Sequence, residues 1–303
     1  MTNKIKTYQT AEFREKYLAK HPAVDGLFKP NYERFFCVKI EDVKNHTKLP
    51  VVPSKEICHS LIFITEGTYQ HKIGFNEIVA QKGELICTPA GQIFSIDQVP
   101  ENVSGFTCHF HPDILIGKFG NNELLTHFDF LKVWGNPHIK LSKQNSQFVL
   151  HLFDRIHVEY SANGIKNLEL IQAYLFALIV EINNSYVVPA TETFSSAVSI
   201  TNKFKEALFL SRAQKRVSAY AYELNITPNH LNKTVKSVTG KSPAKWIAET
   251  IVLEAKYLLY QTELTIGEIA IELGHFDQSY FTRLFKKIEG VTPKDFRKMI
   301  EKS

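Results

Sequence analysis

Ala270-Ile-Glu-Leu273-Gly274-His-Phe-Asp-Gln-Ser-Tyr-Phe281-Thr-Arg283-Leu-Phe285-Lys-Lys287 is the stretch that decides the fold. It reads as a short helix, a tight turn and a second helix. Ala270 is small enough to let two helices approach closely, Leu273 enters the core, and Gly274 supplies the left-handed backbone that the turn needs. On the second helix Phe281, Leu284, Phe285 and Ile288 recur every three or four residues and predict the buried stripe. Forty-nine positions earlier, Ala221-Tyr-Glu-Leu224-Asn225, followed by Ile226-Thr-Pro-Asn-His-Leu231 and Val235-Lys236, has the same shape. Asn225 takes the place of the glycine, and Leu231, Val235 and Val238 form the second stripe.

Outward from these two segments, the punctuation of helices is clear. Thr227-Pro228, Ser242-Pro243 and Thr292-Pro293 each place an N-cap hydroxyl before a proline at the first helical position. Thr265 and Glu268 fit a capping box, and Gly240, Gly274 and Gly290 sit where helices stop. Seven helices are expected: 197–210, 217–224, 228–239, 243–260, 266–273, 277–289 and 293–300. A short helix, a turn and a second helix form the unit whose second helix enters the major groove of DNA. The 243–260 spacer, roughly 27 Å long at about 1.5 Å per residue, suits two such units on successive grooves.

The charge supports that partner. The whole chain of 303 residues carries +5, from 36 Lys+Arg against 31 Asp+Glu. From residue 200 onward there are 17 basic and 11 acidic residues, against 19 and 20 before it. All of the excess therefore lies in the helical part, as a polyanion-binding domain requires.

The N-terminal half has another rhythm. Ile57–Thr65, Thr68–Ile73, Glu77–Ala80, Glu84–Thr88, Gln92–Ile96 and Ser104–Phe110 read as short strands separated by turn signals such as Glu66-Gly67, Lys82-Gly83 and Pro89-Ala90-Gly91. They predict an antiparallel sandwich or small barrel with an interior cavity. Pro112–Phe119, Gln147–Tyr160 and Ile165–Asn183 are helical candidates, and apolar residues on more than one face of the last fit either a helix packed on the barrel or a subunit interface within 147–183. Tyr186–Ser196, with Pro189 and several hydroxyl residues, is aperiodic. The expected division is a domain over 1–188, a linker over 189–196 and a DNA-binding domain over 197–303. The fold class is α+β, an antiparallel β-barrel with flanking helices followed by an all-α domain.

Several function classes have no support. Met1–Thr10 is polar and lacks the core of a signal peptide, and Leu168–Ile182 is too short and too interrupted by Glu169, Gln172 and Glu181 to span a bilayer. No membrane partner and a cytoplasmic location are expected. Cys37, Cys58, Cys87 and Cys108 form no C-x-x-C pair and read as small buried thiols. No phosphate-binding, dinucleotide-binding, nucleophile-elbow or zinc-protease motif is present, so no cofactor and no catalytic residue are assigned.

The run Ile266-Gly-Glu-Ile-Ala270, Leu273-Gly274-His275-Phe276-Asp277-Gln278-Ser279-Tyr280-Phe281, Arg283-Leu-Phe285-Lys286-Lys287, Gly290-Val-Thr-Pro293 and Phe296-Arg297 resembles the AraC/XylS-type transcriptional regulators. It departs from the family pattern at His275, where a phenylalanine usually follows the glycine, and Phe276 is expected to take over part of that packing. The resemblance covers 217–298 specifically, and the strand-rich half is similar to the family's cupin-like sensor. It implies a sequence-specific DNA-binding regulator, more usually an activator, controlled by a small-molecule effector. Its partners would be double-stranded promoter DNA, a second copy of the chain and RNA polymerase.

Residues left off the buried stripes are the candidate contacts. On 228–239 these are Asn229, His230, Asn232 and Lys233, with Lys236 and the following Lys241 toward phosphate. On 277–289 they are Gln278, Ser279, Thr282 and Arg283, with Lys286 and Lys287 toward the backbone. Phe63, Tyr69, Phe94, Phe106 and His109 are the expected lining of an effector pocket. An alternative reading is a metal-dependent cupin-type enzyme or metal sensor, in which His109-x-His111 joins His59 as a three-nitrogen site.

Overall fold

The structure, a computed structural model, describes residues 7–115, 128–133, 135–185, 196–211, 215–274 and 277–301. Contacts divide the chain between Val187 and Val188 into two compact units. The expected linker over 189–196, Ser196 apart, lies outside the described residues, as do His275 and Phe276.

The first unit is built on two antiparallel sheets. Its strands are β1 (Phe35–Lys39), β2 (Val51–Ser54), β3 (His59–Glu66), β4 (Thr68–Ile73), β5 (Asn76–Gln81), β6 (Glu84–Thr88), β7 (Phe94–Ile96), β8 (Ser104–Phe110) and β9 (His138–Lys140). One sheet has the order β1-β8-β3-β6-β9 and the other β2-β7-β4-β5. The barrel is thus two facing sheets with open edges. Ile62, Ile64 and Ile86 from the first sheet meet Tyr69, Ile73, Ile78 and Phe94 from the second. Side chains alternate across a strand, so β3 and β6 of the larger sheet each serve two cores. Leu61, Phe63, Cys87, Phe106 and Cys108 point away from the second sheet and pack under two long helices, α4 (Lys143–Asn163) and α5 (Leu168–Ser185). Three short helices, α1 (Thr10–Tyr17), α2 (Pro22–Asp25) and α3 (Ile40–Val43), precede or interrupt the strands.

Close approach in the sheet fixes one glycine. Gly105 lies opposite Ile64 in the β3–β8 register with φ +155°, and a Cβ there would stand 2.0 Å from the Phe63 carbonyl oxygen. Of the expected helix Pro112–Phe119, Pro112–Leu115 forms a 3-10 turn and the remainder lies outside the described residues. All four cysteines are buried free thiols. Burial raises the Cys87 thiol and, together with neighbouring Cys108, the Cys37 thiol. Among the described residues no helix is long and apolar enough to cross a membrane.

The second unit contains seven helices among the described residues: α6 (Ser196–Leu210), α7 (Val217–Glu223), α8 (Pro228–Thr239), α9 (Pro243–Gln261), α10 (Ile266–Glu272), α11 (Gln278–Glu289) and α12 (Pro293–Ile300). The caps are those the sequence signals. Thr227, Ser242 and Thr292 side chains accept from the N3 backbone N–H groups, with proline at N1 in each case. Thr265 and Glu268 close a capping box, and hydrogen bonds from Thr265 hold the Glu268 carboxyl below its ordinary range. Asp277, expected inside its helix, is the N-cap of α11 and accepts from Ser279 N and Tyr280 N.

Candidate nucleic-acid interface and effector cavity

Each reading unit begins with a short helix whose small residue is fully buried, Ala221 in α7 and Ala270 in α10. The turn after α7 passes through Asn225 at φ +55° and the turn after α10 through Gly274 at φ +139°. Both conformations are tolerated by Asn and Gly at little cost. The second helices follow, each ended by a left-handed glycine, Gly240 or Gly290. Ala221 and Ala270 are 49 apart, but the N-caps Thr227 and Asp277, and the C-cap glycines, are 50 apart. The second unit therefore carries one extra residue in its turn.

Successive residues of a helix are turned by about 100°. In α8 the buried face is Leu231, Thr234 and Val235, so Asn229, Lys233 and Lys236 form a stripe opposite, with Asn232 beside it and His230 on the flank; all five are exposed. In α11 the buried face is Phe281 and Phe285, and the opposite stripe is Ser279, Arg283 and Lys286, with Lys287 beside it, all exposed. The two stripes correspond at an offset of 50 residues: 229 with 279, 233 with 283, 236 with 286. Ser279–Arg283–Lys286 is chemically a hydroxyl, a guanidinium and an ammonium in line, suited to base edges and phosphate.

Three expected contacts are placed differently. Gln278 and Thr282 lie on the side of α11 nearer its core. Thr282 is half-buried, and the Gln278 carboxamide rests against α10, where a Cβ on Gly267 would come within 3.1 Å of its Oε1. Lys241 is half-buried and its Nζ lies 2.8 Å from Glu249 Oε2 and 5.5 Å from the Trp246 ring. Ile288, expected in the core stripe, is 38% exposed. Sequence reading passed over Tyr280, which is 50% exposed at the start of α11 and corresponds to His230 at the 50-residue offset. That offset was the signal that finds it.

α9 links the two helix-turn-helix motifs. Trp246 donates from Nε1 to Thr239 Oγ1 at 3.0 Å, tying its first turns to the end of α8. Lys256, in its last turns, pairs with Glu289 of α11 at 2.8 Å. Its 19 residues make a rod of roughly 28 Å.

Between the two sheets of the first unit lies a cavity of about 150 Å³, covered by Phe13 and Tyr17 of α1. Tyr69, Phe94 and His109 line it. Phe63 and Phe106 do not, contrary to expectation. They sit opposite each other on β3 and β8 and face α4, where both rings stack on Phe153 at 5.5 and 5.8 Å. The same alternation separates the histidines of the metal reading. His109 is on the cavity face with its Nε2 3.2 Å from Glu56 Oε2, whereas His59 is on the helix face against Phe110. His111 falls beyond the end of β8, its Nδ1 accepting from Asp113 N. Among the described residues no group of three His, Cys, Asp or Glu side chains is placed to hold a metal. His59 accepts from Ala90 N at 3.1 Å through Nδ1. Burial, with nearby His109 and His111, pushes it down to about 3. Burial alone does the same to His71, also to about 3.

Comparison with known proteins agrees with both halves. Residues 220–299 match the model of a helix-turn-helix domain and residues 58–179 that of an AraC-like ligand binding domain. The uncharacterized HTH-type transcriptional regulator YisR of Bacillus subtilis is 25% identical over 80% of this chain and 86% of its own length. The arabinose operon regulatory protein of Escherichia coli is 31% identical over 27% of this chain and 28% of its own length. Among solved structures, the C-terminal domain of AraT from Geobacillus stearothermophilus is 30% identical, with TM-score 0.32, over 35% of this chain and 88% of that one. ToxT from Vibrio cholerae is 13% identical, with TM-score 0.42, over 83% of this chain and 92% of that one. With a ligand-binding model matched in its first half and a duplicated helix-turn-helix in its second, the chain belongs to the AraC/XylS-type family of DNA-binding transcriptional regulators.

Proposed function

We propose that this regulator is a one-component activator. α8 and α11 read neighbouring major grooves of one promoter site, and a small effector in the cavity of the first unit biases that binding. The observation that carries the reading is the pair of outward stripes, Asn229–Lys233–Lys236 and Ser279–Arg283–Lys286, related by one offset on two capped helices. Phosphate contact by Lys236, Lys286 and Lys287 gives affinity that falls with salt, with a log–log slope of about −3 at about −0.9 per contact. Genome-wide mapping of bound sites, followed by titration of one site from 50 to 200 mM salt, tests it. A slope near zero overturns the reading.

Self-association is assigned to α4 and α5, the helices within 147–183. α4 exposes Phe148 and Val158 at 47% and 53%, more apolar surface than a solvated helix face needs. A dimer places two double-reading domains on DNA and doubles the site. Contact with RNA polymerase completes the activator mechanism. Transcription from the mapped promoters rising with added protein supports activation, and falling transcription marks a repressor.

A further inference from the structure

The cavity in the first unit is apolar over most of its wall but holds five buried polar atoms without a hydrogen-bond partner. They are both ring nitrogens of His71, Oγ1 of Thr88, Oε1 of Glu56 and Nε2 of His109. His109 Nε2 is at ion-pair distance from Glu56 Oε2, 3.2 Å, without hydrogen-bond alignment. Buried polar atoms left unmet are costly, and native proteins satisfy nearly all of them. Four side chains from four different parts of the fold, β4, β6, β8 and the segment between β2 and β3, converge here in this state. That convergence marks a place where a ligand supplies the missing partners.

The chemistry of the atoms defines the ligand. A carboxylate oxygen of Glu56 accepts only, so it calls for a donor. His71, neutral because burial disfavours its charged form, offers one donor and one acceptor nitrogen. An acidic ligand is disfavoured, because its carboxylate would share a dry cavity with that of Glu56. The cations on the wall are turned elsewhere. Arg14 pairs with Asp25 at 2.5 Å, and Lys44 donates to the carbonyls of Glu101 and Val103. Size narrows the class further. A cavity near 150 Å³ is comparable to one that takes up benzene, so the occupant has roughly six to ten non-hydrogen atoms.

The geometry points to a compact, single-ring apolar ligand bearing an amine or hydroxyl donor and no acidic group, its ring against Ile62, Tyr69 and Phe94 and its polar group set among the Glu56 carboxylate, His71 and the Thr88 hydroxyl. This rests on reading the first unit as the effector-sensing part of the regulator.

The test uses the full chain with four probes of one shape: benzylamine, benzyl alcohol, benzoate and toluene. Calorimetric titration and thermal melting are expected to show binding of benzylamine, benzyl alcohol or both, with a Kd at least tenfold below those of benzoate and toluene. Glu56→Gln is expected to weaken the amine at least tenfold and the alcohol less. Thr88→Val keeps the shape of the side chain and removes an unmet hydroxyl, so it is expected to raise the Tm of the ligand-free chain while weakening the bound probe. A purely structural threonine would not move both. Benzoate or toluene binding as tightly as the donors, none of the four binding, or unchanged probe affinity in Thr88→Val overturns the assignment. Salt-dependent DNA binding is measured on the same samples. A chain that binds DNA and no probe sinks the ligand class alone, and one that binds a probe and no DNA sinks the regulator reading instead.

Discussion

Arg283 stands at the centre of the outward stripe of α11, one turn beyond Ser279 and clear of the buried Phe281 and Phe285. Arg283→Ala is expected to cost about 1–3 kcal/mol on the specific site and to relax discrimination at one base pair. Lys287→Ala should weaken specific and random DNA alike. Competition binding against random DNA checks both, and equal losses for Arg283→Ala would overturn the base-edge assignment. Asp277 acts on the same helix without touching DNA in this scheme: its carboxylate caps two backbone N–H groups. Asp277→Ala should lower stability by about 1 kcal/mol, read in a urea melt. Two buried imidazoles set a pH dependence. His59 and His71 sit near 3 in the folded chain against about 6.5 when unfolded. Above pH 6.5 both states are neutral at these groups. As pH falls from 6.5 toward 3, the unfolded chain takes up protons that the folded chain refuses, so stability falls, by about 1–2 kcal/mol per imidazole at pH 5.5. His71→Leu should flatten the stability loss measured between pH 7.5 and 5.5.

At the scale of elements, the larger sheet shows what alternation does. Its helix-side face stacks Phe63 and Phe106 on Phe153 of α4, and its other face lines the cavity. Phe153→Ala is expected to cost about 3–5 kcal/mol in a denaturant melt while leaving affinity for a cavity ligand within a factor of two, since the lost ring lies across the sheet from the pocket. The helices of the second unit were legible almost to the residue, because Thr-Pro, Ser-Pro and glycine signals act locally through caps. In the first unit the strands between 57 and 111 and the two long helices α4 and α5 were legible, and the rest was not. β1 is a continuous buried run, Phe35-Phe-Cys-Val38, with no alternation to mark it, and β9 has three residues. Which face of a strand meets the cavity depends on partners far along the chain, and that is why Phe63 and Phe106 were assigned to the wrong side. Gln278 shows a related effect: a residue that is exposed and off the main apolar stripe can still lean on the preceding helix.

At the scale of the molecule, the mild charge of +5 divides into a basic reading unit and a near-neutral sensing unit. The two reading heads are not independent within theirs. α9 is the closing helix of the first repeat, started by Ser242-Pro243 as α12 is by Thr292-Pro293, and the leading helix of the second. A shared helix of this kind is a phase coupling. One alanine inserted after Thr250 turns everything beyond it by about 100° and advances it by about 1.5 Å. The second head then points off the DNA face, and footprinting should show only the first half of the site protected. Seven inserted residues come back to within about 20° of the original phase and add about 10 Å, close to three base pairs of duplex. In this scheme the spacing of the two heads follows from the length of a single helix; because three base pairs also turn the groove by about 100°, the seven-residue insertion is not expected to restore the joint footprint on an operator lengthened to match.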